Sequence, residues 1–366
     1  MSSVRLTAAQ AAALAHVRTL AERDRHGATV RATEVLVRAG IDVGVDELCA
    51  RIGVLGRVVC NFHPDRIAAD GRTVVEALLA DGVYRNQFET GISNGGLGAV
   101  RERFEERLFA GAYQQAGVLA AERPKYGGLD LMRHLDGPCP RFGSCYLRLR
   151  RPALSRSTFS FGDSVTEPSA VGTIDVFEPV LAALLDAADA GGHTSVIASC
   201  PTVLGLQSPS VPTLVHLLLD DTQRRSQPGR ALDDYIEAQV HGPVRLADDV
   251  EAFVADPSFR GTTIGGQLEE VARRFGFGLS WHPGYTLAAE EVPSHFRGPE
   301  VMALGHRIAA EFGDGSGRID AEVIGRAARR VVTDPDCFAD HGEPAEALQQ
   351  LKQLWHVVVA YGHPTG

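Results

Sequence analysis

The stretch Tyr235-Ile236-Glu237-Ala238-Gln239-Val240-His241 alternates strictly between polar and apolar residues, and it constrains the fold more than any other part of the chain. Successive side chains of a strand point to opposite faces, so Ile236, Ala238 and Val240 share one face and Tyr235, Glu237, Gln239 and His241 the other. The apolar face must pack on a core. The polar face must lie either in water or in a site. A sheet containing this strand needs partners, and the sequence offers three. Val58-Val59-Cys60-Asn61-Phe62 is β-branched and ends at His63-Pro64-Asp65-Arg66, where Pro64 cannot continue a ladder. Ser144 to Arg150 reads as another strand, followed after Pro152 by Ser157-Thr158-Phe159-Ser160-Phe161. These last two are expected to be consecutive strands of an antiparallel sheet, with Ser157 and Phe159 on one face and Thr158 and Ser160 on the other.

Helical periodicity dominates elsewhere. Leu14, Val17, Leu20 and Ala21, then Val35, Leu36, Leu48 and Ile52, place a helical region before residue 55. Short helices are expected over Val74 to Ala80 and Arg101 to Tyr113, and two or three more between about residues 174 and 230. Helices are also expected over Asp248 to Ala255, Gly266 to Phe275, Val301 to Phe312, Ala321 to Val332 and Pro344 to Tyr361. The expected architecture is therefore α+β: a split, mostly antiparallel sheet over residues 56–245, a helical region at 1–55, and a mainly helical extension at 246–366 packed on the core.

Composition narrows the function. The formal net charge of −10 argues against a protein that grips nucleic-acid phosphates, which needs a basic surface. The six cysteines are scattered without CxxC spacing and read as reduced thiols. The apolar run from Ala8 to Ala15 is short and is followed by Arg18, Glu22, Arg23, Asp24 and Arg25, as in an amphipathic helix rather than a leader or membrane span. A cytoplasmic protein is expected, with export by a dedicated system left open.

The order Arg66, then Ser157-Thr158-Phe159-Ser160, then Glu237 resembles the ADP-ribosyltransferase superfamily, in its class marked by an Arg, a Ser-Thr-Ser-like strand and a late Glu. Arg123-Pro124-Lys125-Tyr126-Gly127 and Gly162-Asp163-Ser164 resemble segments of bacterial toxin-type members. The signatures Phe62-His63-Pro64-Asp65-Arg66 and Gln87-Phe88-Glu89-Thr90-Gly91-Ile92-Ser93-Asn94-Gly95 resemble an uncharacterised bacterial family. The resemblance covers about residues 56–245, and the order of the motifs carries most of it.

It implies that NAD is bound as substrate and that ADP-ribose passes to a protein or other macromolecular acceptor, or to water. Cleavage at the nicotinamide ribose builds positive charge, so a carboxylate belongs beside it. The resemblance assigns that role to Glu237, a diphosphate or ribose clamp to Arg66 with His63 near it, support of the glutamate to Ser157, Thr158 and Ser160, and a cofactor contact to Gln239. It assigns an aromatic stack on nicotinamide to Tyr126 or Phe159 beside Gly127, and phosphate or carboxamide contacts to Thr90, Ser93, Asn94 and Gly95. One departure stands out: the position two before the glutamate, usually Gln or Glu, is Tyr235, which leaves the acceptor open. Two alternatives remain: a metal-dependent hydrolase using His63, Asp65, His241 and His282, and a non-catalytic binding protein on a decayed transferase fold.

Overall fold

The computed structural model describes residues 4–92, 98–193, 201–220 and 227–365. The strands of the main sheet, in chain order, are β1 (Arg57–Phe62), β2 (Lys125–Asp130), β3 (Cys145–Leu149), β4 (Ser157–Phe161), β5 (Val171–Thr173), β6 (Ile236–Val240), β7 (Val250–Ala255) and β8 (Gly278–Trp281). The longer helices are α1 (Ala8–Arg38), α2 (Val45–Leu55), α3 (Val74–Asp81), α4 (Gly98–Leu108), α5 (Glu178–Asp189), α6 (Val211–Leu219), α7 (Thr263–Phe275), α8 (Pro299–Phe312), α9 (Ala321–Thr333) and α10 (Pro344–Tyr361). Among the described residues the main sheet has eight strands in the order β8-β7-β3-β1-β2-β6-β4-β5. Every neighbouring pair is antiparallel except β7 and β8, which are parallel and joined through α7. The class is α+β with a mostly antiparallel sheet.

The pairing at the centre is short. β1 meets β2 only through Arg57, Val58 and Val59, opposite Asp130, Leu129 and Gly128. Beyond Val59, β1 continues on β3 as far as Phe62, while β2 continues on β6 from Gly128 back to Lys125. Two four-stranded halves, β8-β7-β3-β1 and β2-β6-β4-β5, are thus zipped together at one end and part at the other. Gly127 stands at the fork: a Cβ built on it would lie 2.2 Å from the Val59 carbonyl oxygen.

Helices α1 and α5 pack against each other and on β4 and β5; α3 packs on α7, and α8, α9 and α10 pack on one another as a bundle. One apolar cluster runs without interruption from Ala28 through the strands to Ala360, so residues 246–366 share the core of the preceding residues. Trp355 of α10 is fully buried, and its indole N–H donates to the Pro140 carbonyl at 2.9 Å. A smaller cluster joins Ala13 and Val17 of α1 to Phe109, Tyr113 and Val171.

Two expectations change. β3 and β4 are consecutive in the chain but are not neighbours, since β1, β2 and β6 lie between them. The 3₁₀ segment Arg151–Arg156 carries the chain across, and Arg156 staples its far end to the His241 carbonyl (2.6 Å) and to Asp249 (2.9 Å). The helix expected over 248–255 is instead a single turn followed by β7, because Phe253 and Val254 fall opposite Leu147 and Tyr146 of β3, and sheet pairing overrides local helical periodicity. The sheet therefore extends past residue 245. No helix among the described residues is long and apolar enough to cross a membrane.

Replacing Gly127 with Ala is expected to force the β1 and β2 backbones apart at the fork, at a cost of roughly 1–3 kcal/mol typical of overpacking. Guanidinium unfolding should show a lower midpoint at unchanged slope.

Candidate functional site

The fork opens into a cavity enclosing about 1070 Å³ with its mouth included. Asn61, Phe62, His63 and Arg66 from the end of β1 form one wall, and Tyr126, Gly127 and Glu237 from β2 and β6 form the other. Leu78, Val83 and Tyr84 supply an apolar side, while Asn86, Gln87, Thr90 and Ile92 close another with Arg101 of α4. The cavity is thus largely apolar with a few convergent polar groups, as small-molecule sites are.

Glu237 is 3 % exposed and is held from several directions. The Gln239 amide N–H donates to its Oε1 at 2.8 Å; longer contacts reach its Oε2 from the Tyr235 hydroxyl (3.4 Å) and the Ser164 N–H (3.5 Å). Gln239 is itself fixed: its Oε1 accepts from the Thr158 hydroxyl at 2.6 Å. The alternation of β6 makes this possible, because Glu237 and Gln239 sit opposite Ser160 and Thr158 of β4 on one face. Burial pushes the Glu237 carboxyl above its ordinary range, Asp163 adds to the rise, and Arg101 opposes it. Asp163 is paired with Arg141 at 2.5 Å.

Three arginines line this carboxylate's cavity; Arg85 is paired with Asp81 (2.8 Å) and Asp70 (3.4 Å), whereas Arg66 and Arg101 keep free donors among the described residues. Arg66 lines it with a buried Nη1 that has no hydrogen-bond partner among the described residues. Arg101 is 7 % exposed, lies over the Tyr126 ring at 4.0 Å, and leaves its Nε and Nη1 likewise without partners among the described residues. Buried, unpartnered guanidinium donors are costly, and an anionic ligand is the natural partner for them. Behind Arg101, Glu105 is fully buried and accepts the Tyr126 hydroxyl (2.9 Å) and Arg123 (3.1 Å). Burial pushes the Glu105 carboxyl up to about 7 despite these donors.

Of the residues expected from the sequence, Glu237, Arg66, His63, Thr90, Tyr126 and Gly127 come together around the cavity. Thr158 stands behind Glu237 as a support, and Gln239, expected as a cofactor contact, stands there too rather than on the cavity, because its amide is held between Thr158 and Glu237. Ser160 also lies on that face, its hydroxyl donating to the Gly162 carbonyl (3.1 Å). Ser157 and Phe159 do not belong to the site. They point to the opposite face of β4 by the period of two; the Ser157 hydroxyl is spent on the Ala153 carbonyl (2.8 Å), and Phe159 packs edge-on to Phe177 in the core. Tyr126 is thus the aromatic of the two that reaches the cavity. Ser93, Asn94 and Gly95 lie outside the described residues.

The groups of the hydrolase alternative do not converge on one point. His63 and His282 flank Ser144, whereas His241 is held between Tyr113 and Thr158. Among the described residues no three His, Cys, Asp or Glu side chains are placed to hold a metal ion. Sequence reasoning missed Arg101 and Glu105. A signal was present: Arg101, Phe104, Glu105 and Leu108 share one helical face, so two charges interrupt an otherwise apolar stripe.

Because the Glu105 carboxyl titrates at about 7 when folded and near 4.5 otherwise, the folded state holds the extra proton between these values. The stability it contributes is complete below pH 4.5 and is lost as pH rises through about 7. Unfolding free energy should fall over this range, and Glu105→Gln should make the fall shallower; urea unfolding at about pH 5 and about pH 8 checks it.

Residues 57–361, well over half of the chain, match the model of a family described as "Protein of unknown function (DUF3626)". No curated protein matches the chain.

Proposed function

We propose that this chain, which belongs to the DUF3626 family, is an NAD-dependent ADP-ribosyltransferase that moves ADP-ribose from NAD to a macromolecular acceptor or to water. The observation that carries the reading is the meeting of Glu237 and Arg66 across one cavity, at the fork of a sheet whose halves part between them. In the reaction the bond between ribose C1′ and the nicotinamide nitrogen breaks, its electron pair leaves with neutral nicotinamide, and positive charge develops on the ribose. A buried carboxylate, aimed and already hydrogen-bonded, stabilises that charge without reorganising. Glu237 supplies it, and one oxygen can also hold a ribose hydroxyl. The nucleophile, an acceptor side chain or water, then forms the new bond at C1′ and loses its proton.

Arg66 and Arg101 supply the fork-shaped donors that a diphosphate needs, and their unpartnered nitrogens support that assignment. The apolar side at Leu78, Val83 and Tyr84 suits a planar ring. Tyr235, at the position where related transferases orient the acceptor, is buried with its hydroxyl on Glu237 and its ring against Phe142. Acceptor choice therefore falls to other parts of the surface. The reading also places the protein in the cytoplasm, which supplies NAD and suits its free cysteines.

Folded protein incubated with labelled NAD and a cell lysate should release nicotinamide and transfer label; neither event occurring would overturn the proposal. Glu237→Gln should lower nicotinamide release by about 10²–10³-fold, the scale of losing one electrostatic stabiliser. Arg66→Lys should raise KM more than it lowers kcat, as lysine lacks the fork. The carboxylate must be ionised to act, so kcat should rise with pH through a midpoint above the ordinary glutamate value.

A further inference from the structure

Behind Glu237 a buried file of hydrogen bonds runs from β6 to the segment after α4. The Tyr113 hydroxyl lies 2.6 Å from His241 Nδ1, His241 Nε2 lies 3.2 Å from Thr158 Oγ1, Thr158 Oγ1 lies 2.6 Å from Gln239 Oε1, and Gln239 Nε2 lies 2.8 Å from Glu237 Oε1. All five side chains are buried. Each link has one hydrogen, so the file has only two self-consistent polarities.

In the first, Tyr113 O–H donates to Nδ1, Nε2–H donates to Thr158, the Thr158 hydroxyl donates to Gln239, and the amide N–H donates to Glu237 Oε1, a bond that is strongest when the carboxyl is ionised. In the second, every link reverses. A protonated Glu237 donates to the flipped amide, the amide N–H donates to Thr158, Thr158 donates to Nε2, and Nδ1–H donates to the Tyr113 oxygen.

Two anchors favour the first. His241 is the only hydrogen-bond partner of the Tyr113 hydroxyl among the described residues, so reversal strands that hydroxyl's buried hydrogen. At the other end the Ser160 hydroxyl donates to the Gly162 carbonyl and presents only lone pairs to Gln239 Nε2 at 3.4 Å, so a flipped amide would set oxygen against oxygen. Leaving a buried donor or acceptor unmatched is the expensive outcome for a hydrogen bond.

We propose that Tyr113 and His241 are positioning residues that act through Thr158 and Gln239 to lock the Gln239 amide N–H toward Glu237 and so favour the ionised carboxylate. Neither touches the cavity. The imidazole is suited to the relay because burial and its neighbours Arg156 and Lys125 hold it neutral, its pKa down to about 3, and a neutral ring carries one donor and one acceptor. Its ring lies nearly parallel to that of Tyr113, at 6°, and meets the edge of Phe109, which fixes the geometry. The other charged or titratable groups that act on Glu237 are Asp163, Arg101, Tyr235, Tyr126 and Cys139, and none of them belongs to the file.

The inference rests on Glu237 being the reacting carboxylate, and the test separates the two ideas. The carboxyl of Glu237 is titrated by ¹³C NMR of glutamate-labelled protein, assigned by difference from Glu237→Gln, alongside the pH profile of nicotinamide release. Tyr113→Phe, Thr158→Val and His241→Phe, the last keeping the ring packing, should each raise the midpoint by about one pH unit, and Thr158→Ser should restore it. Kinetically, kcat at low pH should fall about tenfold with little change in KM. Folded Tyr113→Phe and His241→Phe proteins with an unmoved midpoint would overturn the relay. A moved midpoint in a protein that never releases nicotinamide would uphold the relay and remove the NAD reading.

Discussion

The parting of β1 from β2 after Val59 is the constraint on which the rest of this molecule depends. Strands that stayed paired for their full length would sit about 4.8 Å apart and leave no room between Asn61 and Tyr126. Instead each strand keeps only its outer neighbour beyond the fork, β1 on β3 and β2 on β6, and the residues facing the gap line a cavity. Gly127 permits this, because its missing Cβ lets the β2 backbone press on the Val59 carbonyl where the halves separate. The C-terminal helices hold the arrangement, with Trp355 anchored to the Pro140 carbonyl and Gly325 of α9 packed directly on Asp65 beside Arg66.

A cavity lined this way concentrates electrostatic cost. Glu237, Glu105 and Asp65 are all buried carboxyls whose pKa values lie above the ordinary range, and each has an arginine opposing the rise: Arg101 for Glu237, Arg123 and Arg101 for Glu105, and Arg66 for Asp65. The pairing is incomplete, since Arg66 and Arg101 keep donor nitrogens without partners among the described residues. Groups left in this condition cluster at functional sites because they complete their hydrogen bonding on a ligand.

The sheet was legible in the sequence to the extent that its strands carry periodic signals. β1, β3, β4 and β6 fall where alternation or β-branched runs place them, and α1, α2, α3, α8, α9 and α10 follow the 3.6-residue period. The pairing order was not legible, because a strand's pattern says which face is apolar and nothing about which edge it joins. That is why β3 and β4, consecutive in the chain, sit in different halves, and why β7 looked helical until β3 offered it a partner.

The site divides in the same way. By itself the sequence determined that Glu237, Gln239 and His241 share a polar face, since the period of two follows from backbone geometry alone, and it fixed Thr158 and Ser160 on one face of β4 with Ser157 and Phe159 on the other. Which face of β4 would meet Glu237 was decided by the tertiary structure, through the register that sets Ser160 opposite Glu237 and Thr158 opposite Gln239. Tertiary structure also brought Arg66 and Arg101 to one cavity and Tyr113 onto His241, across separations along the chain that only chain folding closes. Local pattern records the direction of a side chain. Its partner is chosen by packing between distant segments, which no local period encodes.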